Sequence, residues 1–344
     1  MRKQPHTAED FAAGIAKGDR VLLSQAITLA ESTRSAHQII ANNILQLCAT
    51  QKAARTEVVD QIIRKSTEKS AKISIRIGIT GVPGVGKSTF IESFGLRLIA
   101  EGYRVAVLAI DPSSRLTRGS ILGDKTRMDV LATHPDAYVR PSAAGTSLGG
   151  VARRTREAVL LCEAAGYDIV IIETVGVGQS ETTVRDLTDF FLLLLLPNAG
   201  DELQGVKRGI VEMADAVVIN KADGAAVNAA KQARLQYHNA LHLFPPKSNN
   251  WTVPCAVCSA TEGTGIDEIW TIIQRYYEHT TANSYFNSNR QTQAKQWLHQ
   301  AIGETVLERF YANDAVSAQL LAVEKAVVAG ELSVNMAVEK LLNA

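Results

Sequence analysis

The pattern of apolar residues divides the 344-residue chain into three stretches. In the first, residues 1–70, apolar side chains recur at helical spacing, for example at Leu23, Ala26 and Ile27. Asp19 stands just before that run and is of a residue type that caps helix N-termini. This stretch is therefore predicted to form an N-terminal helical layer.

The second stretch, residues 71–280, alternates short β-rich runs with helical segments. Several runs are apolar at consecutive positions, as expected for strands buried on both faces. The runs are Ile73–Thr80, Val105–Ile110, Ile169–Glu173, Phe190–Leu196, Ala216–Asn220 and Val253–Ser259. Alternating strands and helices predict an α/β fold with a doubly wound, mostly parallel sheet. Ligands of such sheets bind outside the carboxyl ends of the strands.

The third stretch, residues 281–344, lacks strand signals. Residues 291–311 and 315–343 have helical patterns, with a break near Gly330. Ile302 and Val306 fall on roughly one face of the first of these helices. A C-terminal helical arm is predicted.

A phosphate-binding motif lies between the first strand and the helical segment 89–100. The sequence GVPGVGKS fits the pattern GxxxxGK[ST], whose backbone N–H groups surround a phosphate at a helix N-terminus. Lys87 is predicted to reach the β- and γ-phosphates, Ser88 to ligate Mg²⁺ and Thr89 to bind the α-phosphate. The fold is thus predicted to be that of a P-loop NTPase. The predicted phosphate-binding residues are Gly81, Val82, Pro83, Gly84, Val85, Gly86, Lys87, Ser88 and Thr89.

A candidate for base recognition is the sequence NKAD at 220–223, directly after a strand. The carboxylate of Asp223 can accept two N–H groups from the edge of guanine. Adenine would leave this carboxylate unpaired, at a free-energy cost of about 1–3 kcal/mol. Lys221 is expected to lie along the base, and Asn220 to brace the surrounding loops. The motif therefore favours GTP and GDP over adenine nucleotides.

A third loop supports the same interpretation. Ser259, Ala260 and Thr261 end the next predicted strand, and the Ala260 N–H is placed to donate to guanine O6. Because three such loops follow one another at strand ends in the expected order, a guanine-nucleotide site is predicted.

Acidic residues at neighbouring strand ends are candidates for Mg²⁺ contact. Asp111, Asp124 and Glu173 would bind the ion directly or through water, together with Ser88. Mg²⁺ prefers octahedral oxygen ligands and keeps several waters. Gly176 is expected to donate its N–H to the γ-phosphate. Hydrolysis removes that phosphate and ends the hydrogen bond, so the interaction suits a switch.

Composition limits which partners and which cellular compartment are expected for this protein. The net charge of +1 gives no global field that favours nucleic acid or membrane. Four cysteines are too few for a disulfide framework in a chain of this size. The N-terminus lacks the apolar core of a signal peptide, and the apolar run Phe190–Leu196 is far shorter than the roughly 20 residues of a spanning helix. We expect a cytoplasmic protein without membrane or nucleic-acid partners.

The motifs together resemble those of the MeaB/ArgK-type GTPases, relatives of the human methylmalonic aciduria type A protein in the metallochaperone branch of the P-loop GTPases. Many other GTPases have Asp where this chain has Glu173. The matching stretches, in family order, are GITGVPGVGKSTFIE (78–92), AIDPSS (109–114), GSILGDKTRM (119–128), IIETVGVGQSE (171–181), LPNAGDELQGVKRGI (196–210) and NKAD (220–223).

The resemblance implies slow GTP hydrolysis and a role as chaperone of an adenosylcobalamin-dependent acyl-CoA mutase, usually methylmalonyl-CoA mutase. Such proteins gate cofactor loading and protect the mutase, and they form homodimers through the C-terminal arm. In this family the loop Pro197–Lys207 acts as an additional switch, so Lys207 joins Lys87 and Glu173 as a candidate catalytic residue. The chain departs from the family's TGGSILGD at Arg118, which replaces a glycine.

Two other functions remain open at this point. A nickel metallochaperone of the same branch would need a Cys/His metal site. Cys255 and Cys258 form the sequence's CxxC, but three residues apart on a strand they face opposite sides, and the seven histidines form no His-rich tract. A P-loop kinase would need an acceptor base and an adenine pocket, and competition between ATP and GTP distinguishes it.

Overall fold

The computed structural model describes residues 6–63, 74–110, 128–140, 148–174, 180–197 and 208–344. The chain divides into two compact units, Met1–Arg290 and Gln291–Ala344. The helices and strands of the first unit are α1 (Ala8–Ala16), α2 (Arg20–Glu31), α3 (Ser35–Ile63), β1 (Ile75–Gly81), α4 (Lys87–Ala100), β2 (Val105–Ile110), α5 (Asp129–Thr133), β3 (Ala137–Arg140), α6 (Leu148–Ala164), β4 (Ile169–Thr174), α7 (Ser180–Arg185), β5 (Phe190–Leu195), α8 (Arg208–Met213), β6 (Ala216–Ile219), α9 (Val227–Leu241), β7 (Cys255–Val257) and α10 (Ile266–Ala282).

The seven strands of the described chain form one sheet in the order β3-β2-β4-β1-β5-β6-β7. Every neighbouring pair is parallel, which confirms the predicted doubly wound α/β architecture. β1 lies between β4 and β5, so the loop that follows β1 emerges at the middle of the sheet. β5 is buried at every position, as its sequence FFLLLL predicts.

Two strands differ clearly from the sequence prediction. The sequence pattern does not predict the edge strand β3, because this strand has only four residues and ends on the charged Arg140. β7 is shorter than the predicted run Val253–Ser259. Pro254 has no N–H to donate to a neighbouring strand, and beyond Val257 the chain turns into a loop that closes through the bridge between Ser259 and Thr264.

Helices cover both faces of the sheet and complete the core. On one face, Phe90 and Phe94 of α4 pack with Trp270 of α10 and with the buried side chains of the strands. On the other, Val211 of α8 and Tyr237 of α9 pack against β5 and β6. Burial of such large side chains contributes about 1.5–3 kcal/mol each, so the sheet provides a rigid platform for the loops at its carboxyl edge.

The N-terminal helices belong to the same compact unit as the sheet. Asp19 caps α2 as predicted, accepting bonds from the N–H groups of Val21 and Leu22. Arg140, at the end of edge strand β3, forms an ion pair with Glu31 at 2.6 Å. The helical layer is thereby attached beside β3, at the edge of the sheet distant from β7.

The second unit is helical. Its first helix, α11, begins within the first unit, and a small core holds the later helices together through Val316, Val323, Ala337 and Leu341. Gly330, where a break is predicted, has φ +74° and separates the last two helices. The helices are α11 (Tyr285–Tyr311), α12 (Asp314–Val328) and α13 (Val334–Leu342).

The helices in the described parts of the chain do not meet the requirements of a membrane span. None of them combines the length and the apolar character that crossing a bilayer requires.

Candidate functional site

The phosphate-binding loop connects β1 to α4. A side chain at Gly81 would lie 2.4 Å from the carbonyl oxygen of Leu194 on β5, so only glycine fits at the end of β1. Gly86, directly before α4, has φ +88°, a left-handed conformation that glycine adopts without strain. No side chain caps α4, so the N–H groups of its first turn are directed at whatever occupies the loop.

Three side chains at the start of α4 provide the polar chemistry. The Lys87 Nζ donates to the carbonyl oxygen of Gly81 at 2.9 Å, so the ammonium group folds back across the loop. Ser88 is buried in the first turn, and Thr89 is exposed. A cation, two hydroxyls and a set of N–H donors around one helix N-terminus form an arrangement that binds phosphate.

Asn220 joins all three predicted loops. Its Nδ2 donates to the carbonyl oxygen of Val85 in the phosphate loop at 2.8 Å. Its Oδ1 accepts the N–H of Ala260 at 3.1 Å. The backbone of Ala222 adds a bond to the carbonyl oxygen of Cys258 at 3.0 Å. Since the Ala260 N–H already donates to Asn220, its predicted bond to guanine O6 requires that donor to be shared or given up when nucleotide binds.

The carboxylate of Asp223 is held by two hydroxyl groups. Ser259 Oγ donates to Asp223 Oδ2 at 2.6 Å, and Thr261 Oγ1 donates to the same oxygen at 3.3 Å. The backbone N–H of Glu262 in turn donates to Ser259 Oγ at 3.2 Å. This network fixes the orientation of the carboxylate.

Lys221 adopts a left-handed conformation with φ 60°, which is uncommon for a residue with a side chain. A side chain built at Gly86 would meet the Lys221 Cε at 3.7 Å, so the aliphatic stem of Lys221 passes over the phosphate loop. The backbone conformation therefore serves to direct this lysine toward the nucleotide side of the sheet.

Cys258 is a contributor that sequence reasoning missed. Its thiol donates to Asn220 Oδ1 at 3.3 Å, and burial raises the pKa of this thiol to about 12. The group therefore stays protonated at neutral pH and remains a donor. The sequence offers one signal, since Cys258 directly precedes the loop at 259–261, but the CxxC spacing draws attention to metal binding instead.

The raised pKa values of the cysteine thiols also argue against the nickel-metallochaperone alternative. Burial raises the pKa of Cys255 to about 12 as well, whereas a metal-binding cysteine must be a thiolate. All four cysteines are free, and Cys258 lies just outside β7. Within the described residues, no group of three or more His, Cys, Asp or Glu side chains is arranged to hold a metal ion.

Glu173 lies near the end of β4, the strand between β1 and β2. It is aligned with Ile79 on one side and Ala109 on the other, and it is buried. The next residue, Thr174, donates its hydroxyl to Thr80 at 2.9 Å, which ties the end of β4 to the strand that leads into the phosphate loop. The other residues predicted for metal or switch contact lie outside the described residues: Asp111, Asp124, Gly176 and Lys207.

A family model decides which group of P-loop proteins this site belongs to. The model, described as methylmalonyl Co-A mutase-associated GTPase MeaB, matches residues 47–315. The chain belongs to the MeaB family. It is therefore a GTPase, which binds GTP and GDP and hydrolyses GTP.

Individual relatives agree with the MeaB assignment. A putative GTPase of Caulobacter vibrioides is 48% identical over 327 residues, covering 95% of this chain and 94% of that protein. The methylmalonic aciduria type A homolog of Mus musculus is 43% identical over 343 residues, covering 99% of this chain and 80% of that protein.

A solved structure confirms the fold. The crystal structure described as a LAO/AO transport system kinase is 36% identical and superposes with a TM-score of 0.70, covering 100% of this chain and 99% of that one. This likeness supports the α/β fold described above.

Proposed function

We propose that this GTPase is the chaperone of an adenosylcobalamin-dependent acyl-CoA mutase, methylmalonyl-CoA mutase being the first candidate. In this proposal it gates cofactor loading and protects the mutase, working in a reducing compartment such as the cytoplasm. The observation that carries the mutase role is the match to the MeaB family over residues 47–315. The coupling of the base-reading and phosphate-binding loops through Asn220 supports a nucleotide state that a partner can sense.

The residues have separate tasks in this proposal. Lys87 and the N–H groups of α4 bind the β- and γ-phosphates, and Asp223 accepts the N–H groups of guanine. Ser88 and the buried Glu173 provide oxygen donors of the class that Mg²⁺ takes, with Asp111 and Asp124 as further ligands. The ion, when bound, neutralises the negative charge of the phosphates.

The direct test is nucleotide-dependent capture of a defined partner. The full chain is immobilised with GDP or with a non-hydrolysable GTP analogue, and a native lysate is passed over it. Mass spectrometry should identify an acyl-CoA mutase whose retention differs between the two nucleotide states. An Asp223→Asn variant offered the same guanine nucleotides is the matched control and should lose this difference. If no acyl-CoA mutase is retained in either state, the proposed partner is wrong.

Lys207 provides a prediction about coupling to the mutase. It directly precedes Arg208, the first residue of α8, and ends the segment Pro197–Lys207, for which the family resemblance implies a switch role. Lys207→Ala should leave the intrinsic rate of GTP hydrolysis nearly unchanged and remove its stimulation by the mutase, because the lysine is proposed to pair with an acid only when the mutase docks. Turnover is measured for wild type and variant, with and without saturating mutase. Equal stimulation of the two proteins would exclude this role, and a large fall in the intrinsic rate would make Lys207 a catalytic residue.

The proposed homodimer has a candidate surface on α11. Leu298, Ile302 and Val306 recur every four residues along one face of this helix, and they are 60%, 50% and 59% exposed. An apolar stripe of this kind is typical of an interface between helices. We therefore place the contact between the two copies on this face.

Charge on that face should separate the copies. Ile302→Glu and Val306→Glu are each expected to convert a dimer to a monomer, measured by light scattering coupled to gel filtration, because a carboxylate buried in an apolar interface is strongly unfavourable. GDP affinity should not change. Gln300→Glu is the matched control, since Gln300 is exposed on the opposite side of the same helix. Variants that remain dimeric would place the interface elsewhere.

A further inference from the structure

The end of α9 carries two histidines that the nucleotide site does not use. His238 lies in the last turn of the helix, and His242 follows the helix as its C-terminal cap. Both side chains are solvent-accessible, and their Nε2 atoms are 3.2 Å apart. A hydrogen bond between two imidazoles in water contributes little to stability, so this arrangement is not needed for folding.

The spacing of the two nitrogens is that of two ligands on one metal ion. Two nitrogens each about 2.0–2.1 Å from a tetrahedral Zn²⁺ are about 3.3 Å apart. Histidines at positions i and i+4 of a helix are a known means of presenting two imidazoles to one Zn²⁺. The rings are centred 4.6 Å apart and stand at 89° to one another, so the Nε2 atoms converge while the rest of each ring stays clear.

The electrostatic setting also favours a cation. The C-terminal end of a helix carries a partial negative charge, which stabilises positive charge nearby. His242 also lines a cavity of about 310 Å³ whose lining includes Glu212 and Lys247, and Lys247 pairs with Asp215 at 2.8 Å. Glu212 pairs with Arg208 at 3.1 Å, and Arg234 lies one turn before His238, so these side chains add no strong field of either sign.

We propose that His238 and His242 form a binding site for a divalent transition-metal ion of the Zn²⁺, Cu²⁺ or Ni²⁺ class. The ring that donates in the hydrogen bond moves its proton from Nε2 to Nδ1, so that both Nε2 lone pairs bind the ion and no net proton is released. Water, and the Glu212 carboxylate after local movement, fill the remaining positions. Nitrogen ligands select this class of ion over Mg²⁺, so the site is chemically distinct from the oxygen-ligand site proposed beside the nucleotide.

The test is a titration of Zn²⁺ alone into the full, untagged chain, with Mg²⁺ and GDP present to occupy the nucleotide site. Calorimetry should show one Zn²⁺ ion per chain that excess Mg²⁺ does not displace. His238→Gln and His242→Gln should each weaken this binding roughly tenfold or more, because even residues that only support a metal ligand contribute about 10- to 100-fold to metal affinity. His299→Gln is the matched control, because His299 is an exposed single histidine on α11, and it should bind Zn²⁺ like wild type.

A spectroscopic measurement distinguishes loss of the site from loss of the fold. Co²⁺ in place of Zn²⁺ should give visible absorption bands of a nitrogen-bound ion in wild type and in His299→Gln. These bands should be absent in the two other variants, while GDP affinity is the same in all four proteins. Unchanged Zn²⁺ affinity in both His238→Gln and His242→Gln would overturn the proposal, as would displacement of the ion by Mg²⁺ and GDP.

Discussion

Replacement of Lys87 by alanine should abolish tight nucleotide binding and leave the fold intact. The Lys87 ammonium lies over the phosphate loop and donates to the carbonyl oxygen of Gly81 at 2.9 Å, which is where the β- and γ-phosphates are expected to bind. Each hydrogen bond to a charged group contributes about 1.5–3 kcal/mol. GDP has the β-phosphate but no γ-phosphate, so loss of the lysine removes one such contact and is expected to weaken GDP binding roughly 10- to 150-fold.

Calorimetry with GDP measures this effect, and a thermal melt without nucleotide measures the fold. Lys87 is only partly buried, so the melting temperature without nucleotide should change little. Arg97→Ala is the matched control on the same helix, since Arg97 pairs with Glu101 on the surface, far along α4 from the loop. It should bind GDP like wild type. If a folded Lys87→Ala variant binds GDP with wild-type affinity, the loop between β1 and α4 is not the phosphate-binding site.

Replacement of Asp223 by asparagine should change which base is bound. The amide presents a donor where guanine needs an acceptor, so GTP affinity should fall by about 1.5–3 kcal/mol, or roughly 10- to 150-fold. Xanthine carries a carbonyl oxygen in place of the 2-amino group, and that oxygen accepts from the new amide. XTP binding should therefore improve in the variant.

The measurement is the ratio of GTP to XTP affinity in wild type and variant. Because the two nucleotides differ only in the base, a general loss of folding would lower both affinities and leave the ratio unchanged. Ser259 and Thr261 hold the carboxylate from one side and should hold the amide oxygen in the same way. If both affinities are the same in the two proteins, Asp223 does not read the base.

The phosphate loop, the base-reading loops and most of the sheet can be predicted because their signals are local. The sequence GVPGVGKS requires glycine at Gly81 and Gly86 for steric reasons that the structure reproduces. The six predicted strand runs correspond to β1, β2, β4, β5, β6 and β7. β3 escapes prediction, because four residues at a sheet edge carry too little pattern to distinguish them from a loop.

The remaining features depend on contacts between residues far apart in the sequence or on side-chain conformation. Cys258 donates a hydrogen bond to Asn220 that no sequence pattern predicts. The 3.2 Å approach of His238 and His242 depends on their side-chain rotamers, although their spacing of four residues is visible in the sequence. The left-handed backbone of Lys221 cannot be predicted from the sequence, since lysine has no preference for that conformation.

By itself the sequence determined the type of most elements, the motifs of the three nucleotide loops and their order along the chain, since these depend on neighbouring residues. Only the tertiary structure decided that β1 lies between β4 and β5 and that Asn220 reaches both Val85 and Ala260. These contacts join residues 135 and 40 positions apart. They exist because helices packed on both faces of the sheet select one strand order. The free energy of that packing comes from the whole core, so no short stretch of sequence determines it.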